Sequence, residues 1–142
     1  MAHTMSDDER RAFLAVVRTA KLATTRADGR PHVAPIWFAP DEDGSVVFTT
    51  GEDTVKGRNI LRDPRVALCV DDDRSPFAFV VMEGRVEVSR DPAALLRWAT
   101  VLGGRYMGQD QAEVYGRRNA VPGELLVRLA PEHVVASAAL AE

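Results

Sequence analysis

The sequence predicts a mainly β domain with flanking helices, wound as a small barrel. Three observations lead there. First, apolar runs of strand length recur at Lys21–Thr25, Pro31–Ala39, Val46–Phe48, Arg65–Asp71, Phe77–Ser89, Glu124–Leu129 and His133–Ser137. Second, tight-turn sequences punctuate them: Ala27-Asp28-Gly29-Arg30, Pro40-Asp41-Glu42-Asp43-Gly44 and Val121-Pro122-Gly123. Third, helix signals are confined to the start, to the stretch after Asp53 and to residues 91–119. Strands joined by short turns around one core hide their unpaired edges best by closing on themselves.

At 142 residues the chain is the length of one domain. No repeat, linker or low-complexity stretch divides it. Met1-Ala2-His3-Thr4 ahead of Met5 reads as a remnant outside the fold, leaving residues 5–142 as the domain. Hydrophobic residues make up 46% and charged residues 27%, enough for a real core. A formal net charge of −3 argues against a general nucleic-acid binder. No apolar run approaches the roughly 20 residues of a membrane helix, and no signal-peptide pattern opens the chain. The one cysteine, Cys69, excludes an internal disulfide and reads as a small buried hydrophobe. These features fit a cytoplasmic protein.

Ser6 caps a first helix whose opening turn carries Asp7, Asp8 and Glu9, acids that the helix dipole favours. Phe13, Leu14, Val16 and Val17 supply its apolar face. The strand Lys21–Thr25 turns through Asp28-Gly29 into Pro31–Ala39. There His32, Ala34, Ile36 and Phe38 share one side, and Val33, Pro35 and Trp37 the other. Val46–Phe48 runs on to Thr49-Thr50-Gly51. Asp71–Pro76 is polar and expected to be an exposed loop. In the long strand Phe77–Ser89, Gly84 marks a bulge or a close approach. Asp91-Pro92 opens a helix with an apolar stripe of Leu95, Leu96, Trp98, Ala99 and Leu102. Gly103-Gly104 is expected to break or kink it before a charged helix over Arg105–Asn119.

The stretch Thr54–Arg65 stands out. It holds Lys56, Arg58, Arg62 and Arg65 against one acid, Asp63, in a chain that is acidic overall. It reads as a short helix capped by Asp53 or Thr54 and stopped by Pro64, with Val55, Ile60 and Leu61 facing the core. Backbone donors, helix dipole and cationic side chains then converge at one strand end, where a phosphate would sit well. A solvated basic helix face has the same pattern.

These pieces together resemble a known family. Lys21–Thr25 with Ala27–Pro31, the segment Lys56-Gly57-Arg58-Asn59-Ile60-Leu61-Arg62-Asp63-Pro64-Arg65, and Met82-Glu83-Gly84-Arg85-Val86 are similar to motifs of the flavin-binding split-barrel proteins. That family includes pyridoxamine 5′-phosphate oxidase and the flavin/deazaflavin oxidoreductases. Arg105-Tyr106-Met107-Gly108 and Gly116–Val127 resemble the branch that uses coenzyme F420, a deazaflavin. The match runs in order across nearly all of residues 21–129.

The resemblance implies a split β-barrel, working as a homodimer with the cofactor at the seam. It implies hydride transfer from reduced F420 to a small unsaturated organic substrate. An FMN-dependent oxidase or reductase, or a non-catalytic flavin- or haem-binding dimer, are the alternatives. Carried over by position, Lys56, Arg58 and Asn59 would hold the cofactor phosphate, and Thr49 and Thr50 its sugar-like chain. Val33, Pro35, Ile36 and Trp37 would line the ring. Met82, Arg105 and Tyr106 would reach it from the partner chain. No acid or nucleophile stands out as catalytic.

Other residue types carry less. His32 and His133 have no accompanying ligand pattern, and three scattered histidines with one cysteine make no metal site. Asp71-Asp72-Asp73 reads as a solvated loop. Trp98 reads as core and Trp37 as a neighbour of the ring. Arg117-Arg118 suits either an acidic cofactor tail or the negative end of a helix.

Overall fold

A computed structural model describes all 142 residues. The elements in order are β1 (His3–Thr4), α1 (Asp7–Ala15), β2 (Ala20–Thr25), β3 (Pro31–Ile36), β4 (Ala39–Pro40), β5 (Val46–Gly51), α2 (Val55–Arg62), β6 (Arg65–Asp72), β7 (Ala78–Ser89), α3 (Pro92–Met107), a 3-10 turn (Gln109–Gln111), α4 (Ala112–Asn119), β8 (Glu124–Leu129) and β9 (His133–Ala138). Every strand pairing is antiparallel, and the order β3-β2-β6-β7-β8-β5-β4 traces a partly open barrel. No helix is long and apolar enough to cross a membrane.

The long strand β7 does the joining. Its first half pairs with β6 and β9, and its second half with β8. Alternation turns Val80, Met82 and Val86 inward, where they meet Leu22, Phe38, Phe48, Leu68, Leu125, Val127 and Leu129. A second, smaller core lies outside the barrel. There α3 lays Leu95, Trp98 and Leu102 on Ala39, Val47 and Leu126.

Several expectations need correction. Pro31–Ala39 is not one strand: β3 ends at Ile36, and the chain crosses to the other sheet at Ala39–Pro40. At the crossing Phe38 loses its ladder partner, and the Tyr106 hydroxyl replaces it. That hydroxyl accepts from the Phe38 N–H at 3.0 Å and donates to the Arg18 carbonyl at 2.7 Å. Gly103-Gly104 does not break α3, which runs unbroken to Met107. The glycines serve packing instead: a Cβ on Gly103 would lie 2.7 Å from Tyr115 Cβ of α4. The break falls at Gly108, where φ is +101°.

Cys69 is not buried, because it lies on the outward side of β6 opposite Lys21 and Val81. Asp71 and Asp72 belong to β6 rather than to a loop, and pair with Lys21, Arg18 and Arg74. Phe77 precedes β7 at φ +65°. In α1 only Leu14 is buried, since the helix ends before Val16. His3–Thr4 are part of the sheet, pairing with Ser137 and Ala138. Gly84 marks a close approach: the register continues through it, and a Cβ there would stand 3.1 Å from the Ala130 carbonyl.

Candidate functional site

The junction of β5 and α2 is built tightly. Thr54, not Asp53, caps α2: its Oγ1 accepts from the Gly57 N–H at 3.0 Å and donates to the Gly51 carbonyl at 2.8 Å. Thr50 Oγ1 lies 3.1 Å from the same hydroxyl. Gly57 is required here, because a Cβ would come within 2.0 Å of the Gly51 carbonyl oxygen. Of the apolar residues assigned to the inner face of α2, only Ile60 is buried; Val55 and Leu61 are exposed. A helix this short, seated on a strand end, presents one narrow stripe to the core.

Beside this junction is a cavity of about 200 Å³. Pro35, Ile36 and Trp37 form one wall, Thr49 and Lys56 a second, and Ala99, Leu102 and Asn119 a third. Five of the twelve residues named from the sequence therefore meet here. Trp37 is held flat against Tyr106, with ring centroids 4.9 Å apart and planes 4° apart. β3 is the last strand of its sheet, so one side of its backbone has no strand partner. Glu124, at the start of β8, faces the same junction; burial pushes its carboxyl above the usual range, against the pull of Thr49 and Lys56.

The other named residues lie elsewhere. Val33 is exposed on the outward face of β3. Arg58 lines a different groove, on another face of α2. Thr50, Asn59 and Met82 are buried, so their side chains offer a ligand almost no surface. Asn59 donates to Thr24 Oγ1 at 3.0 Å and accepts from Arg62 at 3.0 Å, which ties α2 to β2. Met82 packs in the barrel core. Arg105 donates to the Leu14, Ala15 and Val16 carbonyls and so caps the end of α1, with its guanidinium 5.1 Å over the Phe38 ring. Tyr106 is the staple described above. In this chain Arg105 and Tyr106 are engaged in their own fold. Arg117 pairs with Glu113, and Arg118 stands over Tyr115.

Sequence reasoning missed Ala99, Leu102, Asn119 and Glu124. Ala99 and Leu102 were visible as a helix stripe, but nothing local says which strand a stripe will meet. His32 is half-buried with an unpartnered Nδ1, His133 is exposed, and no group of three metal-ligating side chains converges anywhere.

The fold matches known proteins. A solved F420 reductase is 28% identical, covering 87% of this chain and 94% of that one, with a TM-score of 0.69. The conserved hypothetical protein Rv2991 of Mycobacterium tuberculosis is 28% identical over 93% of this chain and 84% of that one, with a TM-score of 0.81. A 55-residue stretch is 42% identical to the 5a,11a-dehydrotetracycline/5a,11a-dehydrooxytetracycline reductase of Streptomyces rimosus. That stretch is 37% of this chain and 39% of the reductase, so the shared part is well under half of either protein. The pyridoxamine 5′-phosphate oxidase family model matches residues 6–137. The chain belongs to that family and has its split-barrel fold.

Proposed function

We propose that the chain is an F420-dependent reductase that acts as a homodimer on a small unsaturated organic substrate. One observation carries the proposal: Lys56 and the end of the edge strand β3, Pro35 and Ile36 with Trp37 just beyond, line a single cavity. The kinship with an F420 reductase supports it.

The residues present fit such a cofactor. Lys56 offers a point charge for its phosphate. Thr49 offers a hydroxyl to the chain that follows. The unpaired edge of β3 offers backbone groups to a planar ring bearing amide-like edges, and Trp37 gives an apolar wall. When bound, the reduced deazaflavin supplies the hydride. The protein's part is to fix the ring against β3, keep water from that face and position the substrate.

A cavity of about 200 Å³ is half a site, because closed pockets for such ligands measure roughly 300–1,000 Å³. A second copy would supply the rest. The outward faces of β3, β2, β6, β7 and β9 put Val33, Ala23, Cys69, Val81 and Val135 in one band that borders Pro35, with Lys21, paired to Asp71, set between Pro35 and Cys69. Val33 and Val135 are 67% and 43% exposed. Burying that band against its own copy would remove it from water and close the cavity.

FMN is the second candidate, and one observation favours it: Lys56 is the only cation in the cavity, which suits a lone phosphate. Titration of the purified chain with F420 and with FMN separates the two. Tight F420 binding with weak FMN binding is expected. Replacing Lys56 with Ala should weaken cofactor binding at least about tenfold, as befits a charge-assisted contact. Binding as tight as the parent's would remove Lys56 from the site.

A further inference from the structure

We propose, on the cofactor reading above, that Glu124 decides which phosphate the Lys56 cavity accepts: one with a single negative charge, a diester, over one with two, a monoester. β8 pairs with β5 in the register Glu124↔Gly51 and Leu126↔Thr49, so Glu124 and Thr49 are diagonal neighbours on one face. Gly51 carries no side chain, and the carboxylate uses that room: a Cβ there would stand 3.7 Å from Glu124 Oε2. Thr49 bonds to Glu124 and Lys56 acts on it through space. Both of those residues line the cavity.

The charges around Lys56 set how much anion it can hold. Lys56 is the one cation lining the cavity. Glu124 faces it from β8. Asp53 approaches from the turn before α2, its Oδ1 3.1 Å from where the same Gly51 Cβ would be. Glu52 lies beside Gly123 but is taken by Arg90. Lys56 is the cation that acts on Glu124, and Asp53 is the acid that opposes its charge. One positive charge with a carboxylate beside it leaves room for one negative charge more readily than for two.

The discrimination follows from Coulomb's law. A partly buried carboxylate repels an anion seated on Lys56 in proportion to the anion's charge. The repulsion of a dianion is twice that of a monoanion, so its penalty in affinity is the square. A phosphate monoester loses its second proton near roughly pH 6 and carries two charges above that. A diester has no second proton and stays at one. The phosphate of FMN is a terminal monoester, whereas that of F420 is joined to carbon at both ends. Lys56 alone would suit a lone phosphate of either kind. Lys56 with Glu124 at its side favours the diester, before ring or tail is considered.

The test titrates F420 and FMN into the parent and into Glu124→Gln at pH 8. The glutamine keeps the size of the side chain and a polar contact for Thr49, and loses the charge. Each ligand's own titration is common to both proteins and cancels in the ratio of their affinities. The variant should bind F420 about threefold more tightly and FMN about tenfold, the square relation. At pH 4.5, where a carboxyl raised above that value is mostly protonated, both ratios should fall toward one. A purely structural role for Glu124 would move both ligands alike and would not follow pH. Equal tightening of the two ligands at pH 8 overturns the proposal, as does a change for FMN below about twofold. If FMN binds and F420 does not, the F420 reading fails, while a pH-dependent tenfold gain for FMN still upholds the role of Glu124. Binding of neither ligand by either protein overturns both.

Discussion

The two outer faces of the barrel have been treated differently. On the sheet containing β5 and β8, Val47 and Leu126 point outward and are covered by Leu95, Trp98 and Leu102 of α3. On the sheet containing β2, β6 and β7, the outward residues Ala23, Cys69 and Val81 stand among Lys21, Asp71 and Glu83, and no helix covers them in the same way. Both faces carry some outward apolar residues between core residues. The chain's own α3 covers the first, while Val33 and Val135 on the second stay exposed. Our cavity lies where the two meet: Pro35 is at the margin of the bare face, while Ala99 and Leu102 come from the cover.

The largest expected effect tests the covered face. Trp98→Ala removes the biggest side chain between α3 and the sheet, where Trp98 is 6% exposed. It should cost about 3–5 kcal/mol in denaturant unfolding. A loss below about 1 kcal/mol would mean that α3 is only loosely seated. Val135→Asp puts a charge on the bare band. Stability of the single chain should change by no more than about 0.5 kcal/mol, while sedimentation should show a dimer becoming a monomer. A parent that is already monomeric at micromolar concentration would remove the second copy from the proposed site.

The smallest effect belongs to Glu124, at the edge of the cover. Its carboxyl is raised above the ordinary 4.5 chiefly by burial. A raised folded value means the protonated form is favoured by folding. That contribution is complete below the unfolded value and is lost as pH rises through the folded one. Glu124→Gln should therefore raise the melting temperature at pH 7 by an amount on the order of 1 °C. The gain should vanish below pH 4.5. A variant that melts lower than the parent at pH 7 would show that the Lys56 contact outweighs burial.

Strand positions were legible because alternation and turn chemistry are local. Asp28-Gly29, Pro64 and Asp91-Pro92 each end or begin an element on their own account. Exceptions arose where distant residues intervened. Ile36 to Ala39 reads as continuous strand until Tyr106, from a helix far along the chain, takes up the Phe38 N–H. Gly103-Gly104 reads as a break until α4 arrives to need the space. For the site, the cationic run was legible but its division was not. Lys56 and Arg58 are two residues apart, and a helix turns them to different cavities.

By itself the sequence determined the strand-and-helix order, the family and the cluster of cations after β5, since each rests on residue types within a few positions of one another. Tertiary structure alone decided which cation faces which cavity, that Arg105 and Tyr106 serve the fold, and which face of the barrel stays bare. Those depend on how helices are laid on the sheets, and packing brings together residues that no local pattern connects.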